Sequence, residues 1–459
     1  MTRRDSQIPH KIYLDENQLP NQWYNIIPDL ITPLGPLISP QTGKPCTADD
    51  LSAIFPPAVV EQELSKERFI DIPEPVMELY RQYRPAPLHR AYALEKALGT
   101  PAKIYYKYEG NSPSGSHKLN TAIPQVYYNK QAGITRIATE TGAGQWGCAL
   151  SIACKIFGLE CAVYMVRVSY DQKPYRRFLM QTYGARVIQS PSMETAAGRG
   201  ILAEDPDCTG SLGIAISEAV EVAASRADTK YALGSVMNHV CIHQSIIGLE
   251  AKKQLALYDE YPDIVIGCNG GGSNFAGIAA AFARDKIKDG KNTRFIAVEP
   301  TACPTLTQGV YAYDYGDTAK LTPLQLGYTL GHTFVPAGIH AGGLRYHGDS
   351  SIVSNLYHDK VIDAVAVPQK KVFESALLFA QSEMIIPAPE SAHAIAATID
   401  EALAAKENNT SPTILFCLSG HGNFDMVAYE KYMSGIITDI AFSGEDLAKS
   451  LPSLPKVEL

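Results

Sequence analysis

The run Asp263-Ile264-Val265-Ile266-Gly267-Cys268-Asn269 passes directly into Gly270, Gly271, Gly272, Ser273 and Asn274, and then into a small-residue helical stretch at 275–283. This join constrains the fold more than any other part of the chain. Glycines at a strand-to-helix turn let backbone N–H groups approach an anion, and the helix N-terminus favours its negative charge. Such a unit belongs in a parallel sheet flanked by helices. After Pro85 the same alternation recurs, with strands predicted at 103–107, 136–140, 161–166 and 185–188, and a second series at 264–267, 294–298, 361–367 and 413–418. The prediction is therefore an α/β protein with two domains, at 91–238 and 239–445, and mainly parallel sheets. Residues 1–90 are rich in proline, with Pro28, Pro33, Pro36, Pro40, Pro56, Pro57, Pro73 and Pro75 interrupting any long periodic element. They read as an irregular extension packed on the core.

Composition excludes several classes. With 459 residues, 46% of them hydrophobic, the chain can bury large cores. No stretch reaches the ~18 unbroken apolar residues of a membrane span, and the opening Met1-Thr2-Arg3-Arg4-Asp5-Ser6 lacks a signal-peptide core. A soluble, cytoplasmic protein is expected. Nine cysteines occur without a Cys-x-x-Cys pair, and Cys154, Cys241, Cys268 and Cys417 sit in apolar runs, so they read as reduced core thiols. The net charge of -8 comes without a basic stripe, which argues against a nucleic-acid partner.

Three further motifs answer the glycine turn. Lys118, in Gly115-Ser116-His117-Lys118, follows a loop after a strand, with a helix expected from about His117 whose dipole would favour the neutral amine. Ser419 follows the apolar strand 413–418, where open α/β sheets place ligands. Gly142-Ala143-Gly144-Gln145-Trp146-Gly147 matches the dinucleotide spacing Gly-x-Gly-x-x-Gly, but Arg167 stands where the acidic ribose ligand is expected. That loop could instead bind a carboxylate after Thr141, leaving Glu140 over a reacting carbon. Taken singly, these are a surface lysine, tight turns and a strand-end charge. Together a lysine nucleophile, an anion cradle and a neutral hydroxyl are the parts that hold pyridoxal phosphate as a Schiff base. A hydroxyl at the pyridine nitrogen, rather than a carboxylate, favours elimination and replacement at the β-carbon. No metal-ligand pattern is present.

Gly-Ser-His-Lys-x-Asn at 115–120, Glu-Thr-Gly-Ala-Gly-Gln at 140–145, Gly-Gly-Gly-Ser-Asn at 270–274 and the segment from Glu383 through Glu390 and Ser391 to Ala394 resemble the tryptophan synthase β-chain, especially its longer second-type branch, from about Pro85 to about Tyr429. The resemblance implies the type II pyridoxal-phosphate enzyme fold, with the cofactor in the cleft between two α/β domains, and condensation of indole with an activated serine to give tryptophan. It implies that Lys118 forms the covalent link and moves protons at the α-carbon. His117, Asn120, Gln145, Ser235, Gly270, Gly271, Gly272, Ser273, Asn274 and Ser419 would line the cofactor, with Glu383 near its ring. Thr141, Gly142, Ala143, Gly144 and Gln145 would take the substrate carboxylate, and Glu140 would assist loss of the β-substituent and orient the indole. The resemblance also leaves room for a monovalent cation.

Two departures stand out. Trp146 replaces a histidine of the main family, which would reshape the acceptor pocket. Arg345 replaces an aspartate that recognises the serine hydroxyl, and its planar fork suits phosphate oxygens. The expected donor is L-serine or, on the strength of this arginine, O-phosphoserine gripped by Arg345 with His340 or His347; the plainer alternative has Arg345 facing solvent or paired with an acid. The long extension argues for a homodimer with weak or no α-chain binding. Threonine synthase, serine or threonine ammonia-lyase and cysteine synthase would share the lysine and the cradle, and Glu140 with its loop separates them from the indole reading. A nucleotide-binding module without catalysis is the alternative from another class.

Overall fold

Three parallel strands side by side organise the molecule: Lys103–Tyr108, Thr413–Leu418 and Ile264–Cys268, hydrogen-bonded in that order. All six residues of Thr413–Leu418 are buried, which explains its unbroken apolar sequence, since a central parallel strand is covered on both faces. Arg294–Pro300 and Asp363–Val367 extend the parallel array on one side, and Leu88–Arg90 and Lys11–Ile12 add antiparallel strands on the other. A second, smaller sheet carries four parallel strands in the order Arg186–Ser190, Glu160–Val166, Arg136–Thr141 and Thr229–Tyr231. The computed structural model describes residues 8–457, so the opening segment 1–6 lies outside the described residues. Among the described residues no helix is long and apolar enough to cross a membrane.

Residues 103–108 follow the 91–238 division in sequence but not in space. Their strand pairs residue for residue with Thr413–Leu418, from Lys103 opposite Thr413 to Tyr108 opposite Leu418. The small sheet therefore starts only at Arg136. Pairing between strands more than 300 residues apart is invisible to local periodicity. The strand predicted at 361–367 also begins later, at Asp363, because Val361 and Ile362 close the preceding turn.

The extension is packed, as expected, but more regular than its prolines suggest. It holds an antiparallel pair, Gln22–Tyr24 with Phe69–Asp71, and the helices Pro57–Glu63 and Glu74–Arg81, each with proline at its first turn where no N–H is missed. Trp23 and Tyr80 are fully buried in the main core. Glu63 closes the start of helix Asn238–Gln244, accepting the N–H groups of Asn238 at 3.1 Å and His239 at 2.9 Å. Cys154, Cys241, Cys268 and Cys417 are buried free thiols.

Candidate active site

Because Lys103–Tyr108, Thr413–Leu418 and Ile264–Cys268 are adjacent and parallel, the loops leaving their carboxyl ends emerge together. They deliver Lys118, Ser419 and the glycine turn to one cavity. His117 is tied to the same corner: its N–H donates to the Ser419 carbonyl at 2.9 Å, and Ser116 bridges Gly420. Gln145, Ser235, Gly270, Gly271, Gly272, Ser273 and Asn274 complete the expected lining.

The helix expected from His117 runs Leu119–Gln131, with Lys118 as its N-cap. Lys118 Nζ donates to the Gly234 carbonyl at 2.7 Å. Burial is the main cause that lowers the amine to about 8, with the Glu140 carboxylate opposing it. Trp146 backs this contact. Its ring packs so closely on Gly234 that a Cβ there would lie 2.5 Å from it, and its Nε1 donates to Thr139 Oγ1 at 2.7 Å. The residue singled out as a departure thus shapes the seat of the lysine.

At the cradle, Gly272 has φ +98°, and a side chain there would meet Ser350 and Asp349 within 2.7 Å, so only glycine fits without strain. It caps the seventeen-residue helix Ser273–Asp289, whose first N–H groups face the cavity end of the turn. The substrate loop is built alike: Gly144, also at φ +98°, caps helix Gln145–Phe157. Thr141 Oγ1 accepts the Gly147 N–H at 3.2 Å. Gly142 and Ala143 pack on Gly342, and Gln145 alone of the loop lines the cavity.

Glu140 ends in the small sheet, buried, with Oε2 lacking any hydrogen-bond partner. Burial raises its carboxyl to about 7, against the pull of the Tyr231 hydroxyl and Lys118. Tyr231 in turn walls an apolar pocket together with Phe55, Leu233, Val236, Pro323 and Tyr346. Sequence reading missed this second chamber, whose walls come from segments far apart in the chain.

Three expected residues lie elsewhere. Asn120 points away from the cavity into a buried network, accepting from Arg84 Nη1 at 2.8 Å and donating to Glu109 at 3.0 Å and Gln244 at 3.1 Å. Glu383 ends helix Gln369–Glu383, and its carboxylate takes the Leu94 N–H at 2.9 Å and the Tyr106 hydroxyl at 3.3 Å. The carboxylate that lines the cavity is Glu390, seven residues later at the start of helix Pro389–Glu407, with Oε1 accepting the Gly343 N–H at 2.9 Å. His347 is directed to the Tyr315 carbonyl, 2.8 Å from Nε2. Cys268, read only as a core thiol, also lines the cavity.

Arg345 matches neither plain alternative. It is 7% exposed, its Nη2 donates to Ser169 Oγ at 2.8 Å, its Nε has no partner, and no ion pair holds it among the described residues. Burial lowers its pKa, with Glu390 the main opposing charge. Burial holds His340 at about 4, with the Lys173, Lys431 and Arg345 cations adding to the lowering.

The donor set suits a phosphorylated pyridine aldehyde. A glycine cradle at a helix start meets an anion, a lysine of lowered pKa meets a carbonyl, and His117 Nε2, Asn274 Oδ1 and Glu390 Oε2 are buried without partners in a cavity they line. Comparison with known proteins agrees. The family described as "Pyridoxal-phosphate dependent enzyme" matches residues 79–420. The chain is 58% identical over 425 residues to the tryptophan synthase beta chain 2 of Methanosarcina acetivorans, covering 93% of this chain and 96% of that protein. It is 59% identical over 432 residues to the protein of the same name from Aquifex aeolicus, covering 94% and 100%. Among solved structures, a fungal L-serine ammonia-lyase from Rhizomucor miehei superposes with TM-score 0.57 at 18% identity, covering 77% of this chain and 99% of that one. Maize serine racemase gives 0.54 at 17%, covering 79% and 98%. These two show the fold, the type II pyridoxal-phosphate architecture. The chain belongs to the tryptophan synthase β-chain family, in its second-type branch.

Proposed function

We propose that this chain joins indole to the β-carbon of an activated serine, giving L-tryptophan, with Lys118 holding pyridoxal phosphate in the cleft. The observation that carries the reading is the buried, unpartnered carboxyl of Glu140, raised to about 7, set against the buried Lys118 amine, lowered to about 8, with its neighbour Tyr231 walling an apolar chamber. Two titratable groups pushed toward neutrality from opposite sides suit proton transfers at pH 7.

Each residue then has a task. The N–H groups of the 270–274 turn bind the cofactor phosphate, and Ser419 faces its ring nitrogen. When bound, the cofactor's ring takes up the electron pair released at the substrate α-carbon. The loop Thr141 to Gln145 holds the substrate carboxylate, and Lys118 Nζ removes and returns the α-proton. Glu140, partly protonated near pH 7, gives its proton to the oxygen leaving the β-carbon; the resulting carboxylate then orients indole through its N–H. Indole itself, flat and apolar, suits the chamber beyond Tyr231.

For the donor, the buried guanidinium of Arg345, held by no ion pair among the described residues, favours O-phosphoserine over L-serine. We further propose a cytoplasmic homodimer with weak or no binding to a tryptophan synthase α-chain, since the 8–90 extension is packed into the core, and a monovalent cation as an added requirement. The test is a product assay with indole and either donor. Tryptophan from O-phosphoserine at the higher kcat/KM supports the full reading. A clear preference for serine refutes the role given to Arg345, and no tryptophan from either donor refutes the proposed reaction.

A further inference from the structure

Ser391 follows Glu390 on helix Pro389–Glu407, is fully buried, and does not line the cavity. Its Oγ lies 2.7 Å from Ser419 Oγ, accepts the Gly420 N–H at 3.0 Å, and stands 3.2 Å from the Gly420 carbonyl oxygen. Ser419 does line the cavity, and its remaining side-chain neighbour is Cys268 Sγ at 3.5 Å. Each hydroxyl has one proton to give, and the two serines cannot both donate to each other. If the Ser419 proton goes to Ser391, nothing is left for a ligand in the cavity. The Gly420 N–H already fills an acceptor site on Ser391, and the shortest contact open to the Ser391 proton is Ser419 Oγ. That arrangement frees the Ser419 proton toward the cavity, where the Cys268 sulfur is only a weak acceptor.

We propose that Ser391 is a positioning residue that donates to Ser419 Oγ and thereby holds the Ser419 hydroxyl as a donor to the ring nitrogen of the cofactor. The inference rests on the reading that Ser419 faces that nitrogen. The relay runs from the Gly420 N–H through Ser391 and Ser419, and each bond polarises the next. It contains no formal charge: Cys268, which burial pushes up to about 12, stays a neutral thiol. The ring nitrogen is thus hydrogen-bonded without an acid strong enough to protonate it, and the fold builds this bias from a residue that never touches the cofactor.

The experiment loads the full-length protein with pyridoxal phosphate labelled with ¹⁵N in the ring and records the nitrogen resonance in wild type and in Ser419→Ala, Ser391→Ala and Ser391→Cys. Ser419→Ala should move the resonance furthest toward an unbonded pyridine. Ser391→Ala should move it the same way by a smaller amount, and Ser391→Cys, a weaker donor of similar shape, should fall between Ser391→Ala and wild type. A Ser391→Ala resonance equal to wild type while Ser419→Ala shifts overturns the relay alone; should Ser391→Ala not fold, a Ser391→Cys resonance equal to wild type does the same. An unchanged resonance in Ser419→Ala overturns the placement of the ring nitrogen, and the relay with it.

Discussion

Lys107 and Lys118 are both lysines depressed by burial, set a short way apart in the same half of the chain, yet their surroundings are opposite. Lys107 Nζ donates to Glu250 at 2.6 Å, to Gln254 at 2.8 Å and to the Ala86 carbonyl at 2.5 Å. Arg84 joins the same network through Glu250 at 2.7 Å and Glu109 at 2.9 Å, and every polar side-chain atom of Arg84, Lys107, Glu109 and Glu250 is partnered. Lys118 makes one bond to a neutral carbonyl, and around it His117, Glu140, Asn274 and Glu390 each keep a buried polar atom unfilled. Burial of charge is common to both regions. What marks the second as a site is the unmet hydrogen-bonding capacity around a cavity, because such groups are costly unless a ligand completes them.

The sharpest way to break the comparison is Glu140→Gln. General acid–base roles contribute ~10²–10⁴-fold, so kcat for tryptophan formation should fall by that order while cofactor absorbance persists. A loss below tenfold would remove Glu140 from the chemistry. In the other region, Arg84→Ala leaves Glu109 without its ion-pair partner while Lys107 still holds Glu250, and should cost about 3–5 kcal/mol in urea unfolding, with the folded fraction still binding cofactor. Cofactor loss without destabilisation would mean the two regions are not separable in function.

The same glutamate sharpens the contrast through pH. Its carboxyl is raised to about 7 in the fold, so the stability of the neutral form is fully present below about pH 4 and is lost as pH rises through 7. Cofactor-free Glu140→Gln, neutral throughout, should therefore exceed wild type in stability at pH 8 by up to ~3 kcal/mol, with the advantage vanishing in acid. Chemical denaturation at pH 4, 6 and 8 checks this; equal stability at pH 8 would mean the carboxylate is not strained. The smallest effect is expected for Glu383→Gln. Its carboxylate contacts Leu94 and Tyr106 outside the cavity, so KM and kcat should change less than about threefold, whereas Glu390→Gln should weaken cofactor retention.

The residues that sequence reading placed well are those fixed by local pattern. A strand running into three glycines, or an apolar strand ending at Ser419, declares its loop within a dozen residues, and parallel neighbours then bring such loops together. The misplacements have another origin. Glu383 and Glu390 share one motif, and which of them reaches the cavity depends on the turn at Met384, φ +60°, that separates two helices. Asn120 lies two residues beyond Lys118 and is rotated to the far side of its helix into the Arg84 network. Strand Lys103–Tyr108 joined the large sheet through pairing with residues near 415, and the apolar chamber behind Glu140 draws its walls from segments near 55, 233, 323 and 346. These are properties of three-dimensional assembly that no spacing along the chain records.

Lys118 Nζ is the atom proposed to join the cofactor, and every other residue role depends on it. Borohydride reduction of the cofactor-loaded protein, followed by peptide mass spectrometry, reads that directly. The predicted result is a stoichiometric pyridoxyl label on the peptide containing Lys118 and none in Lys118→Ala. A label on another lysine in the wild-type protein, or no label at all, would contradict it.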